Sequence, residues 1–359
     1  MNALVVGFLI LGLQITGCFA LWGNLQMSFR PNPKANLNTI CKRTQSVLQG
    51  NSDFCTSKPE LVKTVMKGIA IAVNECQIKF ASRKWNCSTV KRSIRRILQH
   101  DYRETAFVFA IASAGITYSV SKACSEGDLE GCYCRGKQVV GNSNSLITEN
   151  AVLERRSLDQ REFERKGCQA SFVEFGYQIA KQFMDQGNNK DAKALVTRHN
   201  NEAGRLAVKN HMHKRCRCHG LSQVCTHKTC WNELASFYST SDRIKTHFDG
   251  AIKVYADNKG ESLMAEEPTV KPPTSEDLIY TTKSPNFCVR EKETGTLGTK
   301  GRTCNVTSLG TGGCDLLCCD RGYESKNVVE YVNCECTFHW CCEVRCKTCR
   351  KERTVHTCL

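Results

Sequence analysis

Cys216-Arg217-Cys218-His219-Gly220-Leu221-Ser222-Gln223-Val224-Cys225-Thr226-His227-Lys228-Thr229-Cys230-Trp231 is the stretch on which the reading of this chain turns. Four cysteines bracket a short loop, with His211, His213 and His219 close by in sequence. Thiolates and imidazoles at such spacings suit zinc, but only where the thiolates stay reduced. In an oxidising compartment the same cysteines make a disulfide-bonded hairpin instead. Gly220-Leu221-Ser222-Gln223-Val224 echoes the nucleophile elbow of hydrolases, an esterase reading in which Ser222 would work with His219. That elbow needs glycine at its fifth position so that a strand can turn tightly into a helix. Val224 stands there, and a basic helix end precedes the motif in place of a strand. The expectation is a bridged hairpin with no metal, no catalytic residue and no cofactor, in a protein that is not an enzyme.

The whole chain supports the oxidising compartment. It has 25 cysteines in 359 residues, several times the usual content of an intracellular enzyme. Lys and Arg number 50 against 35 Asp and Glu, a net charge of +15, and 41 % of residues are hydrophobic. That is enough apolar material for a core, which excludes a disordered chain, and the length suggests about two domains. Residues 3–13 form an uncharged apolar run, with Cys18 and Ala20 at the −3 and −1 positions of a cleavage site. Residues 1–20 therefore read as a signal peptide, the run being well short of the roughly 20 residues that span a bilayer. Removing Cys18 leaves 24 cysteines, an even number able to form twelve bridges.

Those cysteines fall into two groups, Cys41 to Cys230 and Cys288 to Cys358. The gap contains Glu266-Glu267-Pro268 and Lys271-Pro272-Pro273-Thr274-Ser275, which cannot hold a helix. The expected organisation is a helical N-terminal domain over 21–254, a linker over 255–285 and a cystine-rich C-terminal domain over 286–359. Apolar residues recur with helical period at Val62, Val65, Met66, Ile69, Val73, Cys76 and Phe80. Thr105–Val120 is apolar nearly all round, as in a central core helix, and Asp191–Val208 repeats the amphipathic pattern. Glu126–Asn150, rich in Gly, Asn and Ser, reads as loop. The last 72 residues carry twelve cysteines and β-type runs such as Val328–Val332. A segment this small needs disulfides to hold a set of hairpins together, at ~2–4 kcal/mol per bridge.

Asn86-Cys87-Ser88 and Asn305-Val306-Thr307 are N-glycosylation acceptors in such a context. Arg205, Lys209, Lys214, Arg215 and Arg217, and again Lys347, Arg350, Lys351 and Arg353, form basic runs. Such charges are ordinarily a solvated face; in a secreted protein at +15 they also suit sulfated glycosaminoglycan better than nucleic acid.

The hairpin motif resembles the signature of the Wnt family of secreted, lipid-modified signalling glycoproteins. Glu75-Cys76-Gln77 with Arg83-Lys84-Trp85-Asn86-Cys87 resembles a second block of that family, and His199-Asn200-Asn201-Glu202-Ala203-Gly204-Arg205 a third. Cys314-Asp315-Leu316-Leu317-Cys318-Cys319-Asp320-Arg321-Gly322-Tyr323 and Phe338-His339-Trp340-Cys341-Cys342 resemble its C-terminal end. The resemblance runs in one order from about Cys41 to Leu359. It implies a mainly α N-terminal domain with a disulfide-bonded β-hairpin thumb, and a small cystine-rich C-terminal β-hairpin domain.

The resemblance also implies a bridge pattern: Cys76–Cys87, Cys124–Cys132, Cys134–Cys168, Cys216–Cys230 and Cys218–Cys225, then Cys288–Cys319, Cys304–Cys314, Cys318–Cys358, Cys334–Cys349, Cys336–Cys346 and Cys341–Cys342. Cys41 and Cys55 are left to join each other. It implies a monounsaturated fatty acyl ester on Ser222, added by the acyltransferase Porcupine. Gln223 and Val224 depart from the family's usual Gly-Ser, and glycine would allow backbone angles at the tip that Gln resists. Leu221 and Ser222 on the thumb, with Phe338, Trp340, Cys341 and Cys342 on a second, C-terminal finger, would grip the cysteine-rich domain of a Frizzled receptor. For Trp340, packing inside the cystine-rich domain is the competing role, while Trp85 and Trp231 read as structural. Further implied partners are a low-density-lipoprotein-receptor-related or kinase-type co-receptor and heparan sulfate, with no nucleic acid. The expected location is the extracellular space and matrix, held near membranes by the lipid. A non-acylated Wnt, or a matrix protein that binds glycosaminoglycan without signalling, are the alternatives.

Overall fold

The structure, a computed structural model, describes residues 58–132, 168–185, 191–219, 225, 227–257, 262–340 and 343–359. The signal segment, Cys41, Cys55, Cys134, Leu221, Ser222, Cys341 and Cys342 lie outside the described residues. The chain divides into two compact units, Met1–Lys79 with Thr89–Ser284, and Phe80–Ser88 with Pro285–Leu359.

The first unit is built on helices: α1 (Pro59–Phe80), α2 (Lys91–Ile97), α3 (Arg103–Glu126), α4 (Gln169–Met184), α5 (Ala192–Lys209) and α6 (Phe237–Asp249). α3 is apolar enough to cross a membrane, but its apolar stretch is 89 % buried. It is the core helix expected over Thr105–Val120, extended at both ends. Its C-terminus is set by Gly127 at φ 82°, a left-handed cap that frees the chain to leave the helix. α1 and α3 meet backbone to backbone at Gly68 and Gly115, and α5 meets α3 at Gly204 against Ala110. A methyl group at either crossing would collide with main-chain atoms. α5 begins at Asp191, whose carboxylate accepts from the Ala194 amide at 2.8 Å, and α6 at Ser236, whose hydroxyl accepts from the Ser239 amide at 3.2 Å.

Two strands, β1 (Met212–His219) and β2 (His227–Leu234), form an antiparallel hairpin between α5 and α6. The stretch read as a linker over 255–285 carries structure of its own. β3 (Ile252–Ala256) pairs antiparallel with β4 (Leu263–Ala265) and parallel with β5 (Ile279–Tyr280). Asn200 on α5 fixes this return: its Nδ2 donates to the Ile279 carbonyl at 2.9 Å and its Oδ1 accepts from the Ile279 amide at 3.0 Å. Ile279 is fully buried with Val196, Ile252 and Val254, so residues up to Ser284 belong to the first unit. The prolines shape turns rather than a free tether.

The second unit holds β6 (Arg290–Glu291), β7 (Thr296–Leu297), β8 (Thr303–Cys304), a four-residue helix α7 (Cys314–Leu317), β9 (Tyr323–His339) and β10 (Glu343–Cys358). The last two form one long antiparallel ribbon, with β8 on the outer edge of β10. The small core consists of Cys314, Leu317, Cys318 and Cys358, so cystines fill the place that aliphatic side chains occupy in a larger domain. Trp85 packs edge-on against Phe80 at 4.9 Å, and Arg302 donates to the carbonyls of Lys84 and Ala81 at 2.7 and 2.9 Å.

Candidate functional site: two bridged hairpins

The β1–β2 hairpin is rooted where α5 ends and α6 begins. Cys216 stands directly opposite Cys230 in the register, and the two are bonded with Cα atoms 4.0 Å apart. One turn nearer the tip Cys218 is bonded to Cys225. The bonded sulfurs are not thiolates, so they cannot serve as zinc ligands. In sequence, Leu221 and Ser222 fall between Cys218 and Cys225, outside the described residues. At the root, the His211 ring lies 3.4 Å from the Ser239 hydroxyl and 5.3 Å from the His213 ring centroid. Burial, followed by the charges of Arg243 and His213, pulls the His211 imidazole below its ordinary value and so favours its neutral form. Arg215 forms an exposed ion pair with Glu233 at 2.9 Å across the strands.

The ribbon of β9 and β10 is the second hairpin. Cys334–Cys349 and Cys336–Cys346 bridge it. A bulge shifts the register between Arg345 and Lys347, so that Glu335 and Cys336 together face Cys346. The register continued from Thr337 opposite Arg345 sets Cys336 opposite Cys346, and Glu335 is the extra residue. Beyond it, Phe338 is 67 % exposed and Trp340 92 % exposed. Trp340 therefore plays no part in the core of the cystine-rich unit, whereas Trp85 is buried and Trp231 half-buried. Lower in the same unit Cys288–Cys319, Cys304–Cys314 and Cys318–Cys358 are formed, and Cys124–Cys132 is formed in the first unit. Cys76, Cys87 and Cys168 are also disulfide-bonded.

The basic runs look different in three dimensions. Arg205 is buried, not on a solvated face; it is held by Asp185 at 2.7 Å and Glu202 at 2.8 Å. The helical period explains this, since Arg205 shares a buried face of α5 with Asn201 and Val208. Lys209 pairs with Glu174, Lys347 with Glu335, Arg350 with Glu352 and Arg353 with Glu330. Of the acceptor asparagines, Asn305 is exposed, its Oδ1 accepting from the Thr307 amide at 3.0 Å and hydroxyl at 2.8 Å, while Asn86 is half-buried. The Ser325 hydroxyl and His356 Nδ1, 2.7 Å apart, form a cross-strand pair on the exposed ribbon; among the described residues no carboxylate orients that imidazole.

Residues 43–359 match the wnt family as a whole. The chain belongs to the Wnt family. It is 41 % identical over 328 residues to protein Wnt-6 of Mus musculus, covering 89 % of this chain and 90 % of that one. It is 38 % identical over 325 residues to protein Wnt-2b-A of Xenopus laevis, covering 89 % and 88 %. A chain from the solved structure of human WLS in complex with WNT8A superposes with a TM-score of 0.62 at 31 % identity, covering 87 % of this chain and 96 % of that chain. The helical unit with its thumb and the cystine-rich unit with its ribbon are the Wnt fold. Wnt proteins are signalling ligands rather than enzymes, and relatives of this kind are secreted and bear sugar and lipid.

Sequence reasoning missed one charged element of this Wnt chain. α2, Lys91-Arg92-Ser93-Ile94-Arg95-Arg96-Ile97, has four cations and no acid in seven residues. The signal was present as a run of basic residues, but a seven-residue helix is too short to announce itself by period.

Proposed function

We propose that this Wnt protein is a secreted ligand that binds the cysteine-rich domain of Frizzled receptors through an acylated Ser222 at the tip of the β1–β2 hairpin and a second contact at the end of the β9–β10 ribbon, and so activates Wnt signalling in development. The observation that carries this reading is the doubly bridged neck formed by Cys216–Cys230 and Cys218–Cys225, which frames the Ser222 segment. A chain offered from a rigid neck loses little further entropy on entering a receptor groove. Burying about twelve methylenes at ~0.8 kcal/mol each gives an upper bound near 10 kcal/mol, so the lipid would be the main anchor. The same lipid would hold the protein near membranes and in the extracellular matrix.

The exposed Phe338 and Trp340 support a protein contact at the ribbon end, where aromatic anchors on a rigid element make hot spots. Leu221 would flank the acyl group, and the adjacent Cys341 and Cys342 would bond to each other and close the finger. Cys41–Cys55, Cys76–Cys87 and Cys134–Cys168 would complete the bridges. Porcupine would acylate Ser222 during biosynthesis, Asn86 and Asn305 would carry glycans, and residues 1–20 would be removed. A low-density-lipoprotein-receptor-related or kinase-type co-receptor and heparan sulfate complete the partners, and the protein would form a complex with WLS as the WNT8A chain does. No metal or cofactor is involved.

Peptide mass spectrometry of the secreted protein over 218–225 tests the lipid. A monounsaturated fatty acyl mass on Ser222 is expected, with Gln223 and Val224 tolerated by the acyltransferase. An unmodified Ser222 in material from Porcupine-competent cells would overturn the lipid anchor.

A further inference from the structure

The net charge of +15 leaves a surplus of cations, and most of those grouped in sequence are already neutralised. Lys209, Arg215, Lys347, Arg350 and Arg353 each sit 2.6–2.9 Å from a carboxylate oxygen, and Arg205 is buried. α2 is different. Ser93, Ile94 and Ile97 point into the first unit, the two isoleucines being 1 % exposed, and so anchor the helix rigidly. Arg92, Arg95 and Arg96, at i, i+3 and i+4, share the exposed face. None of the three has a hydrogen-bond or ion-pair partner among the described residues. Just beyond the helix, Lys193 of α5 donates to the Gln99 carbonyl at 2.5 Å, which adds a fourth cation to the same neighbourhood.

Helix stability does not explain this arrangement. The macrodipole favours Arg95 and Arg96 in the last turn, but it disfavours Arg92 in the first turn, where there is no acid and no side-chain cap. The acids of the flanking segments do not pair with the three arginines: Asp191 caps α5, and Asp101 accepts from the Thr281 hydroxyl and faces the charge of Lys193.

We propose that the exposed face of α2, through Arg92, Arg95 and Arg96, is a docking site for a sulfated glycosaminoglycan chain. This rests on the reading of the protein as a secreted ligand that meets heparan sulfate, and it assigns the contact to a helix rather than to either hairpin. Planar guanidinium groups grip sulfate oxygens in pairs, which a lysine ammonium cannot do. The exposed face of α2 carries no Trp, Phe or Leu, the residues that a helix uses to seat itself in a bilayer. The cations of the first hairpin without a carboxylate partner are split between its two faces. Strand alternation sets Lys214 and Lys228 on one side and Arg217 on the other, so they present no single row.

The test is salt-dependent binding of the secreted full chain to immobilised heparin, comparing R92Q/R95Q/R96Q with K347Q/R350Q/R353Q. Counterion release from any dense polyanion makes log affinity linear in log salt, so losing three contacts should lower the slope by roughly three and weaken binding at least about tenfold at physiological salt. The ribbon variant should bind as the wild type does. Single substitutions of each arginine, and R92K/R95K/R96K, keep the comparison available if the triple variant is poorly secreted; the lysine variant should fall between the two. If the wild type fails to bind heparin, the glycosaminoglycan reading itself is wrong. If the wild type binds and the α2 variants bind equally, that reading stands and the α2 assignment is overturned. If the α2 variants lose binding to phosphatidylserine vesicles but keep heparin, the face is a lipid contact and the proposal fails.

Discussion

Arg205 is 1 % exposed, with its guanidinium on Asp185 and Glu202 and its Nη1 3.4 Å from the Ser113 hydroxyl. Removing one partner of a buried pair leaves the other charge unsolvated, which costs about 3–5 kcal/mol. R205A should therefore sharply lower secretion and melting temperature, and R205A/D185N should recover part of the loss; equal melting temperatures for R205A and the wild type would contradict this. His199 offers a pH test. Burial, only partly offset by the bond its Nε2 makes to the Asp277 carbonyl at 3.0 Å, holds its imidazole below the ordinary value of 6.5. A depressed folded value means the unfolded chain takes the proton first. The stability from neutral His199 is thus complete above pH 6.5 and falls as pH drops from 6.5 through the folded value. Melting temperature should decline more steeply between pH 7.5 and 5 for the wild type than for H199Q, and parallel curves would refute the assignment. Arg205 also shows why charge runs mislead: a basic run read along the chain ignores the helix face on which each member sits.

At the scale of elements, long periodic segments were legible and short ones were not. The stripe from Val62 to Phe80 and the apolar run from Thr105 to Val120 correspond to α1 and α3, because each repeats its pattern over several turns. α2 offers only Ile94 and Ile97, and β5 only two residues, so neither could be read locally. Residues 255–285 misled because Pro272 and Pro273 exclude a helix but say nothing of Ile279, whose place is fixed by Asn200 far away in sequence. Of the candidate site, the cysteines of both hairpins stood out, whereas the bulge at Cys346 depends on a register that no local pattern encodes. The close helix crossing at Gly204 gives a direct test. G204V would drive side-chain atoms into the Ala110 backbone, and overpacking of this kind costs at least about 1–3 kcal/mol. Secretion should fall steeply; normal yield and melting temperature would show that the helices can part.

For the whole molecule, stability and recognition occupy different places. The first unit is held by a helical core and the second by cystines, while the groups proposed to meet the receptor stand outside both cores. Trp340, 92 % exposed, should therefore be replaceable without a change in melting temperature, yet W340A should weaken receptor binding by roughly thirtyfold, the scale of a hot-spot residue. A loss of stability would instead assign Trp340 to the fold.

The central claim, that an acylated thumb anchors the complex, is tested most directly by the affinity of secreted S222A for an isolated Frizzled cysteine-rich domain. It should be measured beside the wild type at matched melting temperature. An anchor worth several kcal/mol requires S222A to bind at least about a hundredfold more weakly. Binding within threefold of the wild type would contradict it, and would leave the ribbon as the principal receptor contact.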